Sequence, residues 1–115
     1  MEMNNHEIDR LVAEKVMGWD LYVSPYGSWY CTGKAYIPNS KFTPTTEIKD
    51  AWQVVEKLKI EVIPLAGQPP KNMRYQAKIY NRQLGKCYEA FAETAQLAIC
   101  LAALKAVGVE VEGDD

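Results

Sequence analysis

The spacing of apolar positions changes along this chain, and each change marks an element. Ile8, Leu11, Val12 and Val16 recur at helical spacing and predict a first helix from about Asn5 to Met17. Asn5 is placed to cap its start, Glu7 and Asp9 suit the positive end of the dipole, and Gly18 follows where a left-handed residue closes a helix. Ile48, Ala51, Trp52, Val55 and Leu58 repeat the helical period after Pro44, with Thr45 or Thr46 as cap and Glu47 and Asp50 in the first turn. The period then shortens to two. Met73, Tyr75, Ala77 and Ile79 alternate with Arg74, Gln76, Lys78 and Tyr80, which predicts a half-buried strand.

Weaker signals fill the gaps. Ile60–Ile63 reads as a short strand that Pro64 ends, and Lys86–Ala92 as the hairpin partner of Met73–Tyr80 across Gln83-Leu84-Gly85. Between the first two helices, Ser24-Pro25-Tyr26-Gly27-Ser28 is a turn, flanked by short strands at Leu21–Val23 and Trp29–Cys31. The stretch from Thr94 to Val107 is capped by Thr94, ended by Gly108 and apolar almost all round. Such a helix is buried on more than one side, so either the first two helices flank it or a second subunit covers it. The expected fold is therefore α+β, with helices packed on an antiparallel sheet of three to four strands as an α/β/α sandwich. The order is helix, β-hairpin, helix, three strands, helix, in one domain over 1–108 with an acidic flexible tail over 109–115.

Composition narrows what this fold can do. A net charge of −2 gives no global field toward nucleic acid or an acidic membrane. Met1–Arg10 lacks the apolar core of a signal peptide, and the apolar run of the last helix is too short to span a bilayer, so a soluble, cytoplasmic protein is expected. Cys31, Cys87 and Cys100 are odd in number and far apart, which argues against a disulfide scaffold or a zinc site and for small buried apolar residues. His6 is the sole histidine and sits in the first turn, where solvent exposure is the simplest reading. There is no Walker A loop or Gly-x-Gly-x-x-Gly sequence, and Glu7, Asp9, Glu14, Glu47 and Asp50 have sufficient roles at helix starts or on solvated faces. No catalytic residues, no metal ligands and no cofactor are expected.

Three blocks in this order and spacing carry a resemblance: Leu11 to Trp19 (LVAEKVMGW), Thr45 to Lys57 (TTEIKDAWQVVEK) and Glu93 to Ala106 (ETAQLAICLAALKA). The chain resembles the phage ABA-sandwich domain family of small phage and prophage proteins over nearly its whole length. The resemblance implies a sheet sandwiched by helices in a protein made during phage infection or from an integrated prophage. It implies no reaction and carries over no catalytic residues; Trp52 and Leu101, inside the matched blocks, are expected in the core.

Two surfaces are candidates for binding. Arg74 and Lys78 share a strand face with Tyr80 two places on, and Arg82 and Lys86 extend the positive charge; such a stripe suits phosphates, with a ring to stack on a base, although a solvated or charge-guarded sheet face would look the same. The aromatic segment offers Tyr26, Trp29, Tyr30, Lys34 and Tyr36, which fit either a sticky surface or rings closing the end of a small core. The expected function is a non-enzymatic phage accessory protein that counters host immunity by binding and sequestering a nucleotide-type signal. The alternative is a protein–protein adaptor or inhibitor acting on a host or phage enzyme. The partner is thus a small nucleotide-type ligand or a host protein, without sequence-specific nucleic acid or membrane, and with homo-oligomerisation through the apolar helix 94–107. A carboxylate and metal enzyme ranks behind both.

Overall fold

The computed structural model describes residues 4–81 and 85–109. Helix α1, Asn5–Leu11, runs straight into a wider π-helical turn, Val12–Val16. Asn4, not Asn5, is the cap: its Oδ1 accepts from the Glu7 N–H at 2.8 Å. One residue makes the difference because the capping position lies outside the helix, with extended backbone. The π turn is closed by Met17 N–H donating to Val12 C=O at 3.0 Å, and it keeps Val12, Ala13 and Val16 all buried. Gly18 follows at φ 75°, the left-handed closure expected of it.

Strands β1 (Asp20–Ser24), β2 (Gly27–Cys31) and β3 (Tyr36–Pro38) form one antiparallel sheet in that order. The expected hairpin thus gains a third strand. Three residues ending in proline are too few for alternation to reveal. Strands β4 (Glu61–Pro64), β5 (Tyr75–Asn81) and β6 (Lys86–Ala92) form a second antiparallel sheet. Its register places Val62, Ala77 and Ala90 on one rung of the inner face, and Glu61, Lys78 and Glu89 on one rung of the outer face. With α2 (Ile48–Leu58) and α3 (Ala95–Ala106) the class is α+β, with helices on antiparallel sheets and the chain order expected save for β3.

Helix α3 is the centre of the molecule. One side lies on β5 and β6; α1, the π turn and α2 cover the rest. Seven consecutive residues, Ala98–Leu104, are buried, which no amphipathic helix could satisfy. Alanines at 77, 90 and 92 on the sheet and at 98, 102 and 103 on the helix let the two approach closely. The Thr94 hydroxyl accepts from Leu97 N–H at 3.2 Å, and Gly108 at φ 86° lets Val109 N–H reach Leu104 C=O at 2.9 Å. Ala98–Leu104 are thus covered within one chain. Val109 packs against the core, and residues 110–115 lie outside the described residues.

Helix α2 departs from expectation in its orientation. Neither Thr45 nor Thr46 caps it; the capping position is Glu47, without a side-chain bond. Asp50 is buried, and its Oδ2 accepts from Thr43 N–H at 2.9 Å, while Asp9 Oδ1 accepts from Thr45 N–H at 2.9 Å. These two carboxylates pin the segment entering α2 to both helices. The buried stripe becomes Asp50, Ala51, Val54 and Val55, and Trp52, expected in the core, is left 50% exposed beside Ile48.

Candidate functional site

Side chains alternate across a strand, so the sheet registers decide which candidate residues can meet. In the first sheet, Leu21, Tyr30 and Ile37 form the inner row. Tyr30 is 2% exposed and packs with Trp19 and Phe42 in a ring cluster, Trp19–Phe42 centroids being 4.8 Å apart. It belongs to the core, and its candidacy as a surface ligand is corrected. Trp29, its neighbour, points the other way. With Tyr22 and Tyr36 it lines an outer recess of about 330 Å³. Tyr22 was missed as a candidate; its signal was the rung Tyr22–Trp29–Pro38, which needs the hairpin register to be seen. Lys34 is exposed in the β2–β3 turn, its backbone N–H held by the Thr32 hydroxyl, and lies outside that lining.

The basic strand residues separate. Arg74 precedes β5 with helical backbone at the end of a short turn, Lys71–Met73, so its side chain does not share the strand alternation with Lys78. It lines a different recess, of about 400 Å³, with Pro64, Leu65, Gln68 and Tyr75. Arg82 lies outside the described residues. Lys78 and Tyr80 do come together, in a recess of about 730 Å³ completed by Leu58, Lys59, Glu61 and Cys87.

This recess sits on the outer face of the second sheet, where α2 ends beside β4. The outer face is open: Glu61, Tyr80, Cys87 and Glu89 are exposed, and Ile63, Gln76, Lys78 and Phe91 half-buried. Glu89 is occupied by a bond from Gln76 Nε2 at 2.7 Å, which leaves Glu61 as the acidic group of the lining against Lys59 and Lys78. Lys59 was missed by sequence reasoning. It closes α2 at φ 57°, the sole non-glycine with positive φ among the described residues. An L-residue there costs on the order of 1–2 kcal/mol, which glycine would avoid. The side chain kept at that cost reaches the recess. Cys87 is exposed, Cys31 half-buried and Cys100 buried, so only Cys100 fits the expectation of a small buried residue, and burial pushes its thiol well above the ordinary range. Among the described residues no group of three or more His, Cys, Asp or Glu is arranged to hold a metal ion. No described helix is long and apolar enough to cross a membrane.

Comparison with known proteins agrees with this architecture. The family model of the phage ABA sandwich domain matches residues 10–104, from the end of α1 to the last turns of α3. The chain belongs to the phage ABA sandwich family. The crystal structure of a phage protein from Bacillus cereus ATCC 14579 is 29% identical, covers 97% of this chain and 94% of its own, and superposes with a TM-score of 0.70. No curated protein matches the chain. For this ABA sandwich protein the likeness thus supports the fold throughout and leaves the chemistry to the recesses just described.

Proposed function

We propose that this ABA sandwich protein is a non-enzymatic phage accessory protein that binds and sequesters a nucleotide-type signal made by the infected host cell. The observation that carries this reading is the recess on the second sheet. It is lined by two lysines, Lys59 and Lys78, and by an exposed ring residue, Tyr80, in a volume of about 730 Å³, within the range of small-molecule sites. Lysines meet phosphates as point charges, and a ring accepts a base by stacking. Glu61 in the lining selects against a simple polyanion and suits a ligand with hydroxyls, such as a ribose, to donate to a carboxylate. Sequestration needs no general base and works by mass action. Native mass spectrometry of the protein purified from infected, defence-active cells tests the reading: a bound nucleotide, released unchanged on denaturation, supports it, and a protein bare in every such host opposes it.

A protein partner is the second reading, favoured by a different surface. Ile48 and Trp52, one helical turn apart on α2, are each 50% exposed. A large apolar pair on a solvated stripe has the character of an anchor for an adaptor or inhibitor. Recovery of a protein in place of a nucleotide, lost on Trp52→Ala, would favour it.

A further inference from the structure

A strand at the edge of a sheet carries a row of unpaired N–H and C=O groups, and folded proteins blunt such rows with short strands, proline, lysine or a covering element. Among the described residues four strands stand at sheet edges: β1 and β3 in the first sheet, β4 and β6 in the second. Three of them are blunted. β3 is three residues long and ends in Pro38, and β4 is four residues long and ends in Pro64. β6 begins at Lys86, and the Lys105 ammonium of α3 donates to its Glu89 C=O at 2.9 Å. β1 has none of these devices. Its five residues, Asp20-Leu21-Tyr22-Val23-Ser24, contain no proline, lysine or arginine, and β2 is the one described strand that pairs with it.

The side chains along this edge are as open as its backbone. Leu21 is half-buried against the core, but Val23, two residues on at the same face, is 70% exposed, and Tyr22, on the opposite face, is 62% exposed. What fits such an edge is another extended strand, held by main-chain hydrogen bonds. The residues of β1 favour a second β1. They read polar, apolar, aromatic, apolar, polar, a pattern that reversal leaves unchanged. Antiparallel pairing of two copies about Tyr22 sets each Leu21 opposite Val23 of the partner subunit and each Asp20 opposite Ser24 of the partner subunit, so no like charges face each other. Parallel pairing in register would set Asp20 beside Asp20 of the partner subunit, and like charges directly opposite are destabilising. We infer that the outer edge of β1 pairs antiparallel with β1 of a second copy, joining two three-stranded sheets into one of six in a symmetric dimer centred on Tyr22. Such a contact uses the same patch on both subunits and closes at two. Five residues a side make a small interface, so the dimer forms with rising concentration.

Sedimentation velocity over about a hundredfold range of protein concentration tests the dimer. The expected result is a shift from the 13.0 kDa chain toward twice that mass as concentration rises. Val23→Lys should keep the circular dichroism of the wild type, because the position is exposed, and should weaken the dimer by about tenfold or more, because it sets two ammonium groups near each other on one face of the joined sheet. Cysteine cross-linking reads the register, with Cys87→Ser as background to remove the exposed native thiol. Tyr22→Cys should cross-link to itself under mild oxidation, since directly opposed residues have Cα atoms about 4.5–5.5 Å apart, within disulfide reach. Asp20→Cys should not, since its two copies lie about 14 Å apart along the paired strands. A dimer that Val23→Lys leaves unchanged, or cross-linking at Asp20→Cys in preference to Tyr22→Cys, would overturn the proposal. A monomer at every concentration would overturn it too, and would leave the edge to a strand from another protein. The nucleotide reading is untouched by any of these outcomes, because Lys78 and Tyr80 lie on the other sheet.

Discussion

Asp9 is the residue whose replacement tests the packing most sharply. It is 6% exposed, and its Oδ1 accepts from the Thr45 N–H across 36 residues of sequence. Thr45 is itself 4% exposed, so bulk solvent does not readily replace a lost acceptor. Asp9→Ala leaves a buried N–H unpaired, and the cost of such a group is about 1–3 kcal/mol. Asp9→Asn can keep an oxygen in the same place and removes the charge, so its loss at neutral pH should stay below about 1 kcal/mol. The two variants also differ with pH. Burial raises the Asp9 carboxyl above its ordinary value of 3.8, an effect that the Thr45 bond only partly offsets. The folded state therefore holds this proton more tightly than the unfolded chain does. The cost of burying the charge is fully present above the raised value and is relieved as pH falls through it toward 3.8. Wild type should gain on Asp9→Asn over that acid window, and the gap should be smallest at neutral pH. Urea unfolding of the three proteins at neutral and mildly acid pH measures both effects. An Asp9→Ala variant within about 0.5 kcal/mol of wild type, or an Asp9→Asn difference that ignores pH, would refute this account of the segment entering α2.

Further outcomes follow from the same structure. Tyr30→Ala should cost about 3–5 kcal/mol and Trp29→Ala markedly less, because the first empties a ring cluster and the second trims an outer face; equal losses in a thermal melt would contradict the register of the first sheet. Cys87 should react with a thiol reagent in the native protein, while Cys100 reacts only on unfolding; early labelling of Cys100, mapped by mass spectrometry, would mean that α3 is not the buried centre. Lys59→Gly should relieve left-handed strain, so that stability holds or rises by up to about 1 kcal/mol, while nucleotide affinity falls; loss of stability would show that the Lys59 side chain serves the fold.

How much of this was legible in the sequence depends on whether a signal was local. Gly18, Thr94 and Gly108 announce helix ends through their own backbone or side-chain chemistry, and each is where it was expected. The alternation of Tyr75, Ala77 and Ile79 fixes the inner face of β5 without reference to any partner. Trp52 was misplaced because Ile48, Ala51, Trp52, Val55 and Leu58 describe a plausible stripe, and the true stripe differs by a small rotation that Asp50 sets through a bond to Thr43. Trp29 and Tyr30 are adjacent, so one must face out; which one depends on pairing with Tyr22 and Leu21. Arg74 looked like part of a basic strand face because the sequence does not show the turn that ends just before it. Lys59 carried no signal, since nothing distinguishes a lysine in left-handed backbone from one in a helix. The candidate recesses were thus half visible: the residue types were in the sequence, their grouping was in the registers.

The central claim is that the Lys59, Lys78 and Tyr80 recess binds a nucleotide-type molecule without turning it over. Equilibrium titration of the purified protein with a panel of cyclic mononucleotides, cyclic dinucleotides and ADP-ribose-type compounds, followed by chromatography of the recovered ligand, tests it directly. The account predicts saturable binding of at least one member, about tenfold or more weaker in Lys78→Ala/Tyr80→Ala, with the ligand recovered intact. Absence of binding across the panel, binding indifferent to that double variant, or recovery of a chemically altered ligand would contradict it.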